Sequence, residues 1–182
     1  ISKLDEAVKS FEKALAIKPD YAEVHYNLGV TLQELGQLDA AVKNYEKAIA
    51  LKPDYANACN NLGVTLQELG QLDEAVKCYM KAVSLKPDYA NACNNLGVTL
   101  QELGQLDEAV KSFEKAVAIK LDFADAHNNL GIALKKLGQL DAAVKCYEQT
   151  LAIKPDYAEA HNNLGNALEG LGQLDAAVKS YE

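Results

Sequence analysis

Apolar residues recur along this chain at spacings of three and four. Leu28, Leu32 and Leu35 form one stripe, and Ala41, Tyr45, Ala48 and Ile49 form the next. Those intervals put side chains on one face of an α-helix, whereas a strand would need alternation. Gly36 follows the first stripe, at a place suited to a left-handed helix end, and Pro53 closes the second. The pattern predicts two helices joined by a tight turn. Asp39 is expected to cap the second helix, and Asp54 the first helix of the next pair. Asp20–Glu23 and Asp156–Glu159 have capping-box spacing.

The same unit returns throughout the chain. Residues 56–77 and 90–111 are identical and offset by 34 positions. In that register NLG falls at 27–29, 61–63, 95–97, 129–131 and 163–165, and LGQLD at 35–39, 69–73, 103–107, 137–141 and 171–175. The junction KPD recurs at 52–54, 86–88 and 154–156, with Leu121 as the exception, where a looser turn or a longer helix is expected. A fixed period of this length builds stacked units, not a closed globule. The chain therefore reads as one array over 1–182. Residues 1–21 supply the second helix of a partial repeat, 22–55, 56–89, 90–123 and 124–157 are full repeats, and 158–182 form a truncated one. Gly29, Gly63, Gly97, Gly131 and Gly165 sit mid-helix, where each costs roughly 1 kcal/mol against Ala. Their repetition points to close helix approach, with Ala41 and its equivalents as the expected partners. Leu4, Val8, Phe11 and Leu15 leave an apolar stripe with no upstream helix to cover it. An excerpt of a longer array is the simplest reading, and end-to-end self-association the sharper alternative.

Composition narrows the function. The net charge is −8, and all 18 basic residues are Lys. Without Arg, and with this acidity, nucleic acid is excluded as a partner, because such binding depends on neutralising phosphates. No apolar run reaches the ~18–20 residues that span a bilayer, so no membrane partner is expected. Cys59, Cys78, Cys93 and Cys146 form no CxxC pair, and scattered free thiols favour a reducing, cytoplasmic compartment. His25, His127 and His161 share one slot, as do Cys59 and Cys93. Stacked helices lie ~8–10 Å apart, too far for neighbouring units to share a zinc ion, so these read as half-buried packing positions. Lys43, Lys47 and Lys52, with their repeats, read as a solvated outer face. No nucleophile has a base and orienting acid in pattern, and no phosphate loop appears. No catalytic residue, metal or cofactor is expected, and the chain is read as a non-enzyme.

Leu62, Gly63, Gly70, Ala75, Tyr79, Ala82 and Pro87, at a period of 34, resemble the tetratricopeptide repeat family, and the likeness covers essentially the whole chain. Two positions depart from it. His25, Cys59, Cys93, His127 or His161 stands where that family often has Trp, and Leu121 replaces a junction Pro. The resemblance implies an all-α, right-handed superhelical solenoid of antiparallel helix pairs. It also implies that positions 23, 27, 30 and 34 of each first helix face a concave groove.

In that stripe Asn27, Asn61, Asn95, Asn129 and Asn163 recur, preceded by Asn60, Asn94, Asn128 and Asn162. A carboxamide both donates and accepts, so a row of them can hold peptide backbone regardless of sequence. Val30, Val64, Val98 and Ile132 would take partner side chains. The row is similar to the asparagine ladder in the repeat arm of O-linked N-acetylglucosamine transferases. A bland alternative stands beside it: each Asn bonds the neighbouring repeat. The carboxylate clamp of tetratricopeptide co-chaperones is not matched, because Asn60, Val30 and Glu23 stand where its cations would be. The reading is thus a scaffold binding protein or peptide segments. A non-catalytic recognition arm of a larger enzyme, such as a glycosyltransferase, and a structural self-assembling module are the alternatives.

Overall fold

The computed structural model describes residues 3–173; Leu174 and Asp175 of the last LGQLD motif, and the rest of the truncated repeat, lie outside them. Ten helices and no strand occur among the described residues. They group into two compact units, Ile1–Asp88 and Tyr89–Glu182. The first holds α1 (Lys3–Ile17), α2 (Ala22–Glu34), α3 (Leu38–Leu51), α4 (Ala56–Glu68) and α5 (Leu72–Leu85). The second holds α6 (Ala90–Glu102), α7 (Leu106–Ile119), α8 (Ala124–Lys136), α9 (Leu140–Ile153) and α10 (Ala158–Gly170).

Each repeat folds as an antiparallel pair because its turn is built for reversal. Gly36 adopts φ +70°, which an L side chain resists, and its turn closes with the Gln37 N–H donating to the Leu32 carbonyl at 2.9 Å. Ala41, Tyr45 and Ala48 of α3 are fully buried against α2, where Leu28 and Leu32 are buried, while Ile49 is only half-buried. The equivalent positions are buried in α5, α7 and α9, with Phe113 in place of Tyr in α7 and Thr150 in place of the second Ala in α9. By contrast, no residue of α1 is buried.

Within each unit the two layers differ. In the first, α2 and α4 approach within 8 Å at their Cα atoms, whereas α3 and α5 do not among the described residues. In the second, α6 meets α8 and α8 meets α10, while α7 and α9 stay apart. Helices that draw together form the inner layer and those that splay form the outer one. The first helices are therefore the inner layer of each unit.

Four local expectations need correction. Asp39 does not cap α3: the helix begins at Leu38, its cap residue Gln37 makes no side-chain cap bond, and Asp39 lies in the first turn. The Gly36 turn is too short to leave Asp39 outside the helix, and its charge acts on the dipole instead. Asp54 likewise does not cap α4, whose cap position is Tyr55. The two capping boxes do not form either. Tyr21 and Tyr157 are the cap residues, Glu23 pairs with Lys52 at 3.6 Å, and Glu159 accepts from Asn128 at 3.4 Å. At Leu121 the expected looser turn or longer helix is absent. α7 has 14 residues, as do α3, α5 and α9, and Lys120 keeps φ −129°, ψ 96°, beside −134°, 88° at Lys86.

The mid-helix glycines do mark close approach, but the partner differs from the expected Ala. A Cβ on Gly29, Gly63 or Gly131 would lie 2.8, 2.7 or 2.5 Å from the ring of Tyr45, Tyr79 or Tyr147, and on Gly97 2.6 Å from Phe113. The large ring of the second helix lies across the bare backbone of the first.

Candidate functional site

The inner layer presents the stripe that the sequence singled out, and each predicted residue can be placed. Asn27 and Asn162 are exposed. Asn61, Asn94, Asn95 and Asn129 are half-buried, as are Val30, Val64, Val98 and Ile132. Asn60, Asn128 and Asn163 are buried. Around them, Glu23, Asn57, Asn91, Asp125 and Glu159 are exposed one turn earlier, and Glu34, Glu68, Glu102 and Lys136 at the helix ends.

The amides are largely turned to neighbouring side chains. In the first unit Asn61 Nδ2 donates to the Tyr26 hydroxyl at 3.2 Å, and Asn60 Nδ2 to Asn61 Oδ1 at 3.2 Å. In the second unit Asn129 Nδ2 donates to Asn94 Oδ1 at 3.1 Å, and Asn163 Nδ2 to Asn128 Oδ1 at 3.2 Å. The second Asn of a doublet thus ties its helix to the residue 35 positions earlier, one repeat before. Tyr26, the exception to the doublet, fills the same accepting role with its hydroxyl. Each carboxamide has two N–H groups and one oxygen, so a single bridge leaves part of its capacity.

A second set of side chains links layers, and the sequence reading did not pick it out. The Tyr45 hydroxyl donates to Gln33 Oε1 at 3.0 Å, and Gln33 Nε2 donates onward to Glu68 Oε1 at 3.0 Å. Tyr79 repeats the first bond on Gln67 at 3.2 Å. In the second unit the pairing is broken. Phe113 stands opposite Gln101, whose buried Oε1 has no partner, and Tyr147 stands opposite Lys135, leaving its buried hydroxyl without one. The signal lay in the letters as a Gln-Tyr spacing of 12, readable only once the two helices are seen to pack.

The recurrent His slot serves the turn between repeats. His25 Nε2 lies 2.9 Å from the Pro19 carbonyl, His127 Nε2 3.1 Å from that of Leu121, and His161 Nε2 2.9 Å from that of Pro155. A carbonyl only accepts, so Nε2 donates in each case. Cys59 and Cys93 are buried and all four cysteines are free. Burial pushes the Cys78 and Cys146 thiols up to about 11. Among the described residues no group of three or more His, Cys, Asp or Glu converges as metal ligands do, and no helix is long and apolar enough to cross a membrane. On the outer layer Lys43, Lys47, Lys77, Lys81, Lys111 and Lys115 are exposed.

Comparison with known proteins places this geometry. A TPR repeat model matches residues 2–36, 33–70 and 133–172, and a tetratricopeptide repeat model matches 54–122. The crystal structure of MamA superposes with TM-score 0.82 at 29% identity, covering 88% of this chain and 87% of that one. YrrB, described as a TPR protein with an unusual peptide-binding site, superposes with TM-score 0.82 at 23% identity, covering 95% and 89%. PilF of Pseudomonas aeruginosa does so with TM-score 0.82 at 21% identity, covering 98% and 90%; these last two likenesses carry the fold alone. No curated protein matches the chain in sequence. With stacked helix pairs, the 34-residue period and models that together span most of its length, the chain belongs to the tetratricopeptide repeat family.

Proposed function

We propose that the chain is a protein-interaction scaffold whose first helices receive an extended segment of a partner protein. The observation that carries this is the make-up of the inner layer. Exposed Asn27, Asn57, Asn91 and Asn162 flank half-buried Val30, Val64, Val98 and Ile132, so backbone-bonding amides alternate with shallow apolar seats. The outer layer offers instead solvated Lys and acid, a face that needs no ligand to explain it. Membership of the tetratricopeptide repeat family supports a binding role, and YrrB is a protein of this fold with a peptide site of its own.

The asparagine row takes a double role in this reading. One N–H of Asn61, Asn129 and Asn163 braces successive repeats, which holds the layer in shape. The more exposed amides and the unspent capacity of Asn129 meet the partner backbone. Asn60 and Asn128 act as braces for their neighbours.

The test is an amide-shift titration of the labelled protein with capped, uncharged ten-residue peptides rich in Val and Ser. Shifts are expected at inner-layer residues, Asn27, Val30, Asn57 and Val64 in the first unit and Asn91, Val98, Asn129, Ile132 and Asn162 in the second. Shifts concentrated at Lys43, Lys47, Lys77 and Lys81, or none at millimolar peptide, would end the proposal.

A further inference from the structure

The broken pairing in the second unit has a chemical consequence. In the first unit three groups form a relay: the Tyr45 O–H donates to Gln33, and Gln33 donates to the Glu68 carboxylate of the next repeat. One hundred and two residues on, at three repeats' distance, those positions are Tyr147, Lys135 and Gly170. The Tyr ring has kept its place, because it lies across Gly131 as Tyr45 lies across Gly29. Its hydroxyl is fully buried and has no partner. Lys135 has no acceptor atom to offer it. Gly170 has no carboxylate to offer Lys135. Lys135 therefore stands, by repeat equivalence, beside a position where the first unit keeps an acidic side chain, and neither Lys135 nor Lys136 forms a salt bridge among the described residues.

We propose that the α8–α10 face holds a carboxylate of the partner segment, seated where Gly170 leaves out the acid that Glu68 supplies beside Gln33. Lys135, in the place of Gln33, supplies both the charge and the hydrogen bond, and Lys136, exposed at the end of α8, adds to the field, while the wholly buried Tyr147 hydroxyl stays out of the seat. The charges lie at the C-terminal turn of α8, whose own dipole already favours cations there. Glu159 is a carboxylate whose field reaches Tyr147, but it is near the other end of α10 and already accepts from Asn128. Glu169, beside Gly170, is exposed and occupies the Gln slot of its own repeat. Local attraction decides here despite the net charge of −8, because at physiological salt distant charges are screened beyond about 8 Å. The inference rests on the inner layer being a peptide-binding face, and it adds where an acidic residue of the peptide goes.

Three capped or uncapped ten-residue Val/Ser peptides test it by amide-shift titration. One carries a central Glu, one a central Gln, and one a central Gln with a free C-terminal carboxylate. In the natural chain the Glu peptide is expected to bind roughly threefold to tenfold tighter than its Gln twin, with shifts at Lys135 and Gly170. The third peptide shows whether a terminal carboxylate serves as well as a side chain. Gly170→Glu fills the seat from within and should bring the Glu-to-Gln ratio to about one. Glu68 shows that this register accepts Glu beside its own Leu38. Lys135→Gln should do the same, whereas Tyr147→Phe should leave both the ratio and the fold unchanged, since that hydroxyl is buried and has no partner to lose. Equal binding of the twins, or a ratio kept in both the Gly170→Glu and Lys135→Gln variants, overturns the carboxylate seat and leaves the peptide face standing. Absence of binding by any peptide overturns both.

Discussion

At the scale of the residue, repeat architecture supplies its own controls, because one position can be read in several copies. Gln101 and Phe113 are the mismatched copy of a pair that Gln33–Tyr45 and Gln67–Tyr79 make as a hydrogen bond. Phe113→Tyr adds a hydroxyl where an unpartnered buried oxygen awaits a donor. It should raise the denaturant midpoint with unchanged slope, by about 0.5–1.5 kcal/mol of stability. No change would show that the ring cannot bring its hydroxyl to Gln101. The glycines give a prediction of opposite sign at two sites. At Gly131 an added methyl meets the buried Tyr147 ring at 2.5 Å, and overpacking of that kind costs about 1–3 kcal/mol, more than the ~1 kcal/mol of helix propensity gained. At Gly170 the nearest atom is the flexible Leu140 Cδ1 at 3.0 Å and the residue is exposed. Gly131→Ala should therefore lower the melting temperature and Gly170→Ala raise it; the same sign at both would mean that propensity, not the ring, governs these positions.

Helices show which features the letters carry and which they do not. Among the described residues periodicity located the helix pairs, because burial of one face leaves a repeating mark on the sequence. It also located the five-fold glycine, though not its aromatic partner, which lies on another helix at a spacing no single stripe displays. The caps were misplaced because an Asp near a turn reads as a cap until the length of the turn is known. Burial itself is the least local property. Residues 4–17 of α1 differ from residues 106–119 of α7 only at Leu15, yet α7 buries Ala109, Phe113 and Ala116 completely and α1 buries nothing. The asparagines are of this kind too: their bridging bonds join residues 35 apart, and only packed helices reveal them. Leu121 offers a test at this scale. Its turn already has the geometry that Pro53, Pro87 and Pro155 accompany, the preceding Lys120 is extended, and Leu121 is 76% exposed. Leu121→Pro should stabilise by about 0.4–1 kcal/mol through the unfolded chain. Destabilisation, read by chemical denaturation, would show that the Leu121 N–H or side chain contributes to the fold.

For the molecule as a whole, burial displaces thiols and phenols of the described residues upward from their ordinary ionisation, and this sets its response to alkali. Desolvation by burial is the first cause in each case. Cys78 and Cys146 rise to about 11, Tyr157 rises to about 12, and Tyr45 and Tyr147 rise as well. These are acids whose neutral form the fold prefers, so the unfolded chain loses its proton first as pH increases. Their contribution is complete below the ordinary thiol value of about 9 and is lost as pH climbs through 9 towards 11. Stability should accordingly be flat from this source at pH 7–8 and fall from about pH 9. Burial also raises the Cys59 and Cys93 thiols, so replacing Cys78 and Cys146 by Ala removes only part of the thiol share and should make the fall between pH 9 and pH 11 shallower. Denaturant midpoints measured from pH 7 to pH 11 on both proteins decide it. Falls of equal steepness would mean that the two thiols are as well solvated in the folded array as in the unfolded chain, and the burial of Cys78 and Cys146 would have to be abandoned.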